Sequence, residues 1–478
     1  MCYENANQKE STDLDGTVRS YEVGMAKTVE DIENINKLAV EHVWQVLRPY
    51  NVFSAPGGFT IFTKGKGCHL TDISGKTYLD FWACIMFNNV GWGRKEIADA
   101  AYEQMMNLHF APTHEPTVPK IKLAKKLADI TPGSLSKVCF GLGGTDSIET
   151  ALKIAWKYQR LSGFPNRYKV IGGYTYHGST FGAMSTGWRA PTFTWEDFPP
   201  LLPGMIHVAS PYCSVCDFGL TYPACDLLCA RQVEWAIQQE LPETVAAFID
   251  VPIPEKTYIP PPEYWPMVRS ICDKYGILLI LDCIQSGFGR FGKMFACEHY
   301  NVVPDIMVLG KALSGGYVPM SAAIIREEIA QKFEGGPKEV LKHSYTFEGS
   351  PVACAAALAN IEIIEREKLV ENSQVLGKYL FGQLQSLYKH NIVGEIRGGL
   401  GLNCNVELMK DRKTKDRFSL EENARIGGML KQKLMEAGLF GFFVNPIPIV
   451  PALIITKDEI DEIVSKVDRV IGEIAEEL

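Results

Sequence analysis

The sequence contains no apolar run near the roughly 20 residues that a membrane helix needs, and it has no excess of positive charge. Lys and Arg total 48 against 56 Asp and Glu, which gives a net charge of -8. Proteins that bind nucleic acids or anionic membranes need concentrated Lys and Arg. We therefore expect neither a nucleic acid nor a membrane among the partners.

The N-terminal 30 residues also lack the apolar core of a secretory signal. The thirteen cysteines are odd in number and scattered, which argues against a disulfide framework and predicts reduced thiols in the cytoplasm. Cys213, Cys216, Cys225 and Cys229 lie close enough in sequence to bind Zn²⁺ or an iron–sulfur cluster, but their spacing is not that of a standard zinc finger. We predict a structural role for these four and no metal.

Short apolar segments alternate with helical segments from residue 136 onward. Apolar strands of this kind are Lys137–Phe140, Lys169–Ile171, Ala246–Ile249, Ile277–Leu281 and Asp305–Leu309. Continuous apolar strands between helices are typical of a parallel sheet with helices on both faces, so we predict an α/β fold. The chain is richer in helix from His343. We therefore predict a large domain over 76–340 and a smaller α+β domain over 341–478, to which an N-terminal segment, 1–75, contributes.

The first chemical feature is a glycine-rich turn between a strand and a helix. The strand ends at Phe140, and Gly143, Gly144 and Thr145 lead at once into a helix with one apolar face. The N-terminus of a helix provides N–H groups and the positive end of its dipole, and glycines let a phosphate come close. The alternative is an ordinary turn in which Thr145 or Asp146 caps the helix.

Two further features lie at strand ends. Asp282 ends an otherwise apolar strand, and Lys311 follows the strand Asp305–Leu309 in a loop of small residues. Ligands of open α/β sheets bind at the carboxyl ends of the strands. An acid there can keep a pyridine nitrogen protonated and a lysine can form a Schiff base, although a loop salt bridge and a solvated lysine are the ordinary alternatives. A phosphate anchor, an acid and an amine at one sheet edge are together what pyridoxal 5'-phosphate requires.

At these residues the sequence resembles the class III aminotransferases, a branch of the fold-type-I pyridoxal-phosphate enzymes. The resemblance runs from about Phe62 to Ile396. It implies that the loop from Gly143 to Thr145 binds the cofactor phosphate. It implies that Tyr176, in Tyr176-His177-Gly178, stacks on the cofactor ring with His177 beside it.

The same resemblance assigns the remaining cofactor contacts. Asp282 matches the partner of the pyridine nitrogen, and Lys311 matches the Schiff-base lysine. Ile284 stands where an apolar residue covers the other ring face, and Gln285 matches a residue near the phenolic oxygen. We expect Lys311, Asp282 and Tyr176 to be the catalytic residues.

The resemblance also implies a homodimer and a substrate site. Thr346 matches a threonine that reaches the phosphate held by the neighbouring subunit, and Arg397 matches the arginine that binds a substrate carboxylate. Trp82 and Arg189 are further candidates for substrate contact. A packed core aromatic and a surface arginine are their ordinary alternatives.

Two positions depart from the family pattern. Cys283 stands where the family commonly has a glutamate, and Val251 stands where a glutamate that can neutralise the matched arginine is expected. The loss of both carboxylates predicts a more positive site, which favours anionic substrates.

The predicted activity is the transfer of an amino group from a small acid that bears an amine to 2-oxoglutarate or pyruvate. The segment His42-Val43-Trp44, with Tyr50, resembles members that act on taurine, 4-aminobutyrate and β-alanine, and a sulfonate suits a positive pocket. A racemase, an epimerase or a lyase on the same fold would use the same lysine, so these activities remain open from the sequence.

Overall fold

A computed structural model describes residues 29–187, 197–254 and 256–478. The chain divides into two compact units, one formed by residues up to 64 with 71–76 and the other by 65–70 with 77–478. The described part of the first unit contains helices α1 (Val29–His42) and α2 (Tyr50–Phe53). Strands β1 (Phe62–Lys66) and β2 (His69–Asp72) contain residues of both units. The predicted domain boundaries at 75 and 340 stay a prediction.

A seven-stranded sheet forms the centre of the second unit. Its strands are β4 (Leu135–Gly141), β5 (Lys169–Gly172), β6 (Met205–His207), β7 (Val245–Asp250), β8 (Leu278–Asp282), β9 (Ile306–Leu309) and β10 (Ser321–Arg326). They follow the order β4-β10-β9-β8-β7-β5-β6. β10 runs antiparallel to both of its neighbours, and every other pair is parallel. The predicted mostly parallel α/β sheet is therefore confirmed.

Apolar side chains cover both faces of this sheet. Helix α6 (Gly144–Leu161) packs on one face, where its residue Ile148 belongs to the same buried cluster as Ile249 of β7. Helices α8 (Leu228–Gln239) and α9 (Tyr264–Tyr275) contribute to the cluster of the opposite face, which contains Phe248 of the same strand. Successive residues of a strand point to opposite faces, so an apolar strand such as β7 is buried on both sides.

The other elements of the second unit are mostly helical. The helices are α3 (Ala83–Met86), α4 (Lys95–Asn107), α5 (Val118–Ile130), α7 (Phe181–Thr186), α10 (Glu327–Ala330), α11 (Pro351–Arg366), α12 (Leu369–Leu384), α13 (Leu420–Glu436) and α14 (Lys457–Glu477). Strand β3 (Thr77–Asp80) pairs in parallel with β13 (Leu439–Phe440). Strands β11 (Val393–Arg397), β12 (Cys404–Leu408) and β14 (Ile447–Ile449) form an antiparallel sheet.

Two helices have other limits than the residue pattern of the sequence predicts. The pattern predicts a helix over Ile32–Leu47, and the observed helix ends at His42. The pattern also predicts a helix over His177–Met184, and the observed helix begins at Phe181, because Thr180 caps its N-terminus by accepting from Ala183 N. In the described part of the chain, no helix has the length and apolarity needed to cross a bilayer.

Candidate active site

A cavity of about 950 Å³ opens at the edge of the central sheet where the parallel strands end. Residues that follow β5, β7, β8 and β9 line it. Nine of the residues predicted from the sequence are among them: Gly143, Gly144, Thr145, Tyr176, His177, Asp282, Ile284, Gln285 and Lys311. The fold therefore brings the phosphate-loop motif, the acid and the lysine to one cavity.

The N-terminus of α6 forms one wall of the cavity. Asp146 caps it, because its Oδ2 accepts from the backbone N–H groups of Leu142 at 3.1 Å and Gly143 at 2.9 Å. The Thr145 hydroxyl accepts from Ser179 N at 3.2 Å. A Cβ on Gly144 would lie 2.6 Å from Ile284 Cδ1, so only glycine fits at this position without a shift of Ile284. The wall therefore offers a helix N-terminus that can receive an anion.

Asp282 ends β8 with its carboxylate held on both sides. Its Oδ1 accepts from Ile284 N at 3.0 Å, and its Oδ2 lies 2.8 Å from His177 Nδ1. The residue is only 4 % exposed. Because it lines the cavity while being fixed by these contacts, the carboxylate is oriented before any ligand binds.

Lys311 follows β9 after one residue, Gly310, and begins a short 3₁₀ turn. Its φ is +45°, a left-handed conformation that side chains other than glycine rarely adopt. The Nζ atom lies 5.6 Å from the centroid of the Phe87 ring. An unusual backbone conformation therefore holds this lysine against an aromatic side chain of the cavity wall.

Tyr176 and Cys283 flank these groups. The Tyr176 hydroxyl lies 2.7 Å from the Ser179 hydroxyl. Burial raises the pKa of the Cys283 thiol well above its usual range, with further contributions from Cys297 and Asp282. Cys283 is therefore a protonated, buried side chain and not a nucleophile.

Arg397, at the end of β11, is buried and carries two carboxylate partners. Its Nη1 donates to Glu395 at 2.6 Å and to Glu407 at 2.5 Å. Its Nε donates to the Lys256 carbonyl at 2.8 Å, and its guanidinium lies 4.3 Å from the centroid of the Tyr258 ring. Lys256 and Tyr258 line the cavity, whereas Arg397 is not among the described residues that do.

The expectation of an unneutralised arginine is therefore wrong. Glu395 of β11 and Glu407 of the neighbouring β12 pair with Arg397, and Glu407 also pairs with Arg417. Burial raises the pKa of Glu407, but Arg397 and Arg417 more than offset this and hold the pKa of Glu407 below its usual value. The pairing of Arg397 removes one reason to expect a positive pocket, and the effect of Cys283 on the charge of the site stays a prediction.

The remaining substrate and partner candidates lie elsewhere. Trp82 stacks on Phe442 with 4.8 Å between ring centroids and 9° between ring planes. Thr346 is exposed on the surface of the single chain. Neither belongs to the described lining of the cavity. Arg189 lies outside the described residues.

The four neighbouring cysteines line a second, small cavity. Burial raises the pKa of the Cys213 thiol, and it raises that of Cys229 to about 11, so both are protonated at neutral pH. Across residues 29–187, 197–254 and 256–478, no group of three or more His, Cys, Asp or Glu residues has an arrangement that can hold a metal ion.

Two polar residues of this region, Thr175 in the cavity lining and Asp250 next to it, were not predicted from the sequence. Thr175 lies 2.9 Å from His177 and donates to Asp250. Asp250 ends the apolar strand β7 as Asp282 ends β8, so the signal that selected Asp282 was present here too. Val251 lines the cavity, whereas Asp250 is not among the described residues that do.

A lysine, a fixed acid and a glycine-initiated helix at the edge of a mostly parallel sheet define a fold-type-I enzyme that uses pyridoxal 5'-phosphate. The family model for class III aminotransferases matches residues 53–471. The chain therefore belongs to the class III aminotransferase family, and it is an aminotransferase that depends on pyridoxal phosphate.

Individual proteins similar to this chain are also named as aminotransferases. The chain is 35 % identical over 418 residues to the putrescine–pyruvate aminotransferase of Pseudomonas aeruginosa, covering 85 % of this chain and 89 % of that protein. It is 36 % identical over 446 residues to the taurine–pyruvate aminotransferase of Bilophila wadsworthia, covering 90 % and 95 %. Among solved structures, an (S)-enantioselective omega-transaminase from Thermomicrobium roseum superposes with a TM-score of 0.87 at 35 % identity, covering 92 % of this chain and 98 % of that one.

Proposed function

We propose that the enzyme transfers the amino group of a small primary amine with a second polar end to a 2-oxo acid. The donor class is that of taurine, 4-aminobutyrate and β-alanine, and the acceptor is pyruvate or 2-oxoglutarate. The observation that carries the proposal is the meeting of Lys311, Asp282 and the α6 N-terminus at one cavity. Pyruvate is the first acceptor to test, because the two relatives described above are named for it.

The cavity residues fit the cofactor. The N-terminus of α6 with Thr145 would hold its phosphate, and Asp282 would accept a hydrogen from its pyridine nitrogen. Tyr176 and Ile284 would cover the two faces of its ring, with Gln285 near the phenolic oxygen. The absence of a side chain at Gly144 is consistent with this placement, since it lets Ile284 lie directly against the helix N-terminus.

Lys311 is the proposed acid–base catalyst. The bound cofactor supplies a ring that withdraws electrons from the carbon next to the donor's nitrogen. Lys311 Nζ would then accept the proton from that carbon, and in the reverse half-reaction it would deliver a proton to the corresponding carbon of the acceptor. Contact with Phe87 supports this role, because an aromatic wall limits where the amine can move and shields it from water.

The balanced charge at Arg397 bears on the choice of donor. Because Glu395 and Glu407 already pair with Arg397, a donor needs no carboxylate of its own to neutralise this arginine. This supports donors that lack a carboxylate beside the amine, such as taurine and β-alanine. A second candidate donor is a diamine. Asp217 lines the same cavity, and its carboxylate can pair with the ammonium group at the far end of such a donor.

We further propose that the enzyme is a cytoplasmic homodimer. Thr346 would reach the phosphate site of the neighbouring subunit, and its exposure in the single chain is consistent with a residue that meets a partner. Free thiols at all described cysteines are consistent with a reducing compartment.

A panel of donors and acceptors tests the proposed activity. The purified enzyme with its cofactor is incubated with taurine, β-alanine, 4-aminobutyrate or putrescine, each with pyruvate and separately with 2-oxoglutarate. Formation of alanine or glutamate is measured by chromatography. We expect alanine from at least one donor. In a control with L-alanine and no oxo acid, the appearance of D-alanine would instead indicate a racemase. No product from any donor and acceptor pair would contradict the proposal.

A further inference from the structure

Four buried polar side chains form a continuous row, and three of the four line the cavity. His177 Nδ1 lies 2.8 Å from Asp282 Oδ2, and His177 Nε2 lies 2.9 Å from Thr175 Oγ1. The Thr175 hydroxyl donates to Asp250 Oδ1 at 3.0 Å. Each of the four residues is at most 5 % exposed. The row therefore connects the acid of the cavity wall to a second carboxylate that does not line the cavity.

The directions of these hydrogen bonds determine where the protons are. A threonine hydroxyl has one hydrogen to donate, and that of Thr175 goes to Asp250. The hydroxyl must therefore accept from Nε2–H of His177. Nδ1, the other ring nitrogen, faces the carboxylate of Asp282. The row therefore places the His177 ring between two carboxylates, one in direct contact and one reached through Thr175.

The surroundings of Asp250 suit an ionised carboxylate. Burial raises its pKa to about 6, while His177 and the N–H of Val251 act in the opposite direction, so the group is ionised at neutral pH. The Val251 N–H donates to Oδ1 at 2.7 Å. A Cβ on Gly173 would clash with Asp250 Oδ2. The carboxylate therefore fits here only because residue 173 has no side chain.

We propose that Asp250 is a positioning residue that, through Thr175, keeps His177 doubly protonated and thereby keeps Asp282 ionised. A buried carboxylate such as Asp282 is costly without a compensating charge, and the imidazolium supplies that charge. The ionised Asp282 can then accept a hydrogen from a ring nitrogen in the cavity. This last consequence rests on the proposed function, whereas the protonation of His177 does not.

Nitrogen-15 NMR of the histidine side chains tests the proposal on the full chain with its cofactor bound, at neutral pH. The His177 signals are assigned by their loss in His177→Gln. We expect two protonated nitrogens in the wild type. In Asp250→Asn the shape of the side chain remains but its charge is lost, and in Thr175→Val the charge remains but its link to His177 is broken. In each variant we expect one protonated and one unprotonated nitrogen on the His177 ring.

Two matched variants separate this effect from a general loss of packing. Thr175→Ser retains the hydroxyl and should restore the doubly protonated form. Asp80→Asn removes another buried carboxylate, whose pKa is also raised to about 6 by burial but which lies outside the row, and it should leave His177 doubly protonated. If Asp250→Asn does not fold, the protonation of His177 in Thr175→Val alone tests the proposal.

A single proton on wild-type His177 would overturn the proposal, and so would two protons in either Asp250→Asn or Thr175→Val. Neither result depends on amino transfer. Failure of this inference is therefore distinguishable from failure of the proposed activity, which the donor panel measures.

Discussion

The Arg397 guanidinium and the Glu407 carboxylate form a buried ion pair, with 2.5 Å between Nη1 and Oε2. Glu395 accepts from the same nitrogen at 2.6 Å, but its side chain is 28 % exposed, compared with 7 % for Glu407. Removing one partner of a buried pair leaves a charge uncompensated and costs about 3–5 kcal/mol. The pair with Glu395 is only partly exposed, and fully exposed pairs, which set the lower limit, contribute about 0–1 kcal/mol.

The two glutamates should therefore differ in their effect on stability. We expect Glu407→Gln to lower the free energy of unfolding by about 3 kcal/mol and Glu395→Gln to lower it by less than about 1 kcal/mol. Denaturant titration of each variant beside the wild type measures both values. Equal losses would show that burial does not separate the two pairs.

Asp250 should make stability depend on pH. Burial raises its pKa from 3.8 to about 6 in the folded protein, so the folded state binds more protons than the unfolded state between these values. The contribution of Asp250 to stability is therefore present below pH 3.8 and is lost as the pH rises through 6.

Asp250→Asn removes this titration. Relative to the wild type, the variant should gain on the order of 3 kcal/mol of unfolding free energy as the pH rises across this window, with no further gain above it. Urea titrations at a series of pH values measure the difference. A difference that does not change with pH would contradict the raised pKa.

The contact between Gly144 and Ile284 should control cofactor affinity. A methyl group at residue 144 would lie 2.6 Å from Ile284 Cδ1 and push Ile284 from its place. We expect Gly144→Ala to weaken the binding of pyridoxal phosphate about tenfold, since overpacking costs roughly 1–3 kcal/mol. Equilibrium dialysis against the cofactor measures the affinity.

The double variant Gly144→Ala with Ile284→Val is the matched control. Valine lacks the Cδ1 atom that the new methyl group would meet, so most of the affinity should return. If the double variant binds as weakly as Gly144→Ala, the loss has another cause than this contact.

The sequence predicted the parts of the fold that repeat an apolar pattern. Strands β8 and β9 are continuous apolar runs, and their ends in the sequence predict that Asp282 and Lys311 lie at one edge of the sheet. Strand β10 (Ser321–Arg326) was missed, because a short segment that starts with serine and alanines has no distinctive pattern. Its antiparallel direction is set by pairing with β4 and β9, which only the folded sheet provides.

The charge balance at Arg397 could not be read from the sequence. Glu407 lies ten positions from Arg397, and the pair meets only because β11 and β12 run antiparallel in a register that sets Arg397 opposite Asn405. Register depends on the packing of whole strands. Asp250, by contrast, carried a readable signal, an acid at the end of an apolar strand, but nothing in the sequence showed that Thr175 joins it to His177.

The most direct test of the central claim is the visible absorption and amino-transfer activity of Lys311→Ala, measured beside Lys256→Ala. Both lysines line the cavity, but only Lys311 matches the Schiff-base lysine of the family and is proposed to move the proton. We expect Lys311→Ala to lose both the absorption of the covalently bound cofactor and the formation of amino-acid product, while Lys256→Ala retains the absorption. Turnover of Lys311→Ala at the wild-type rate would contradict the account.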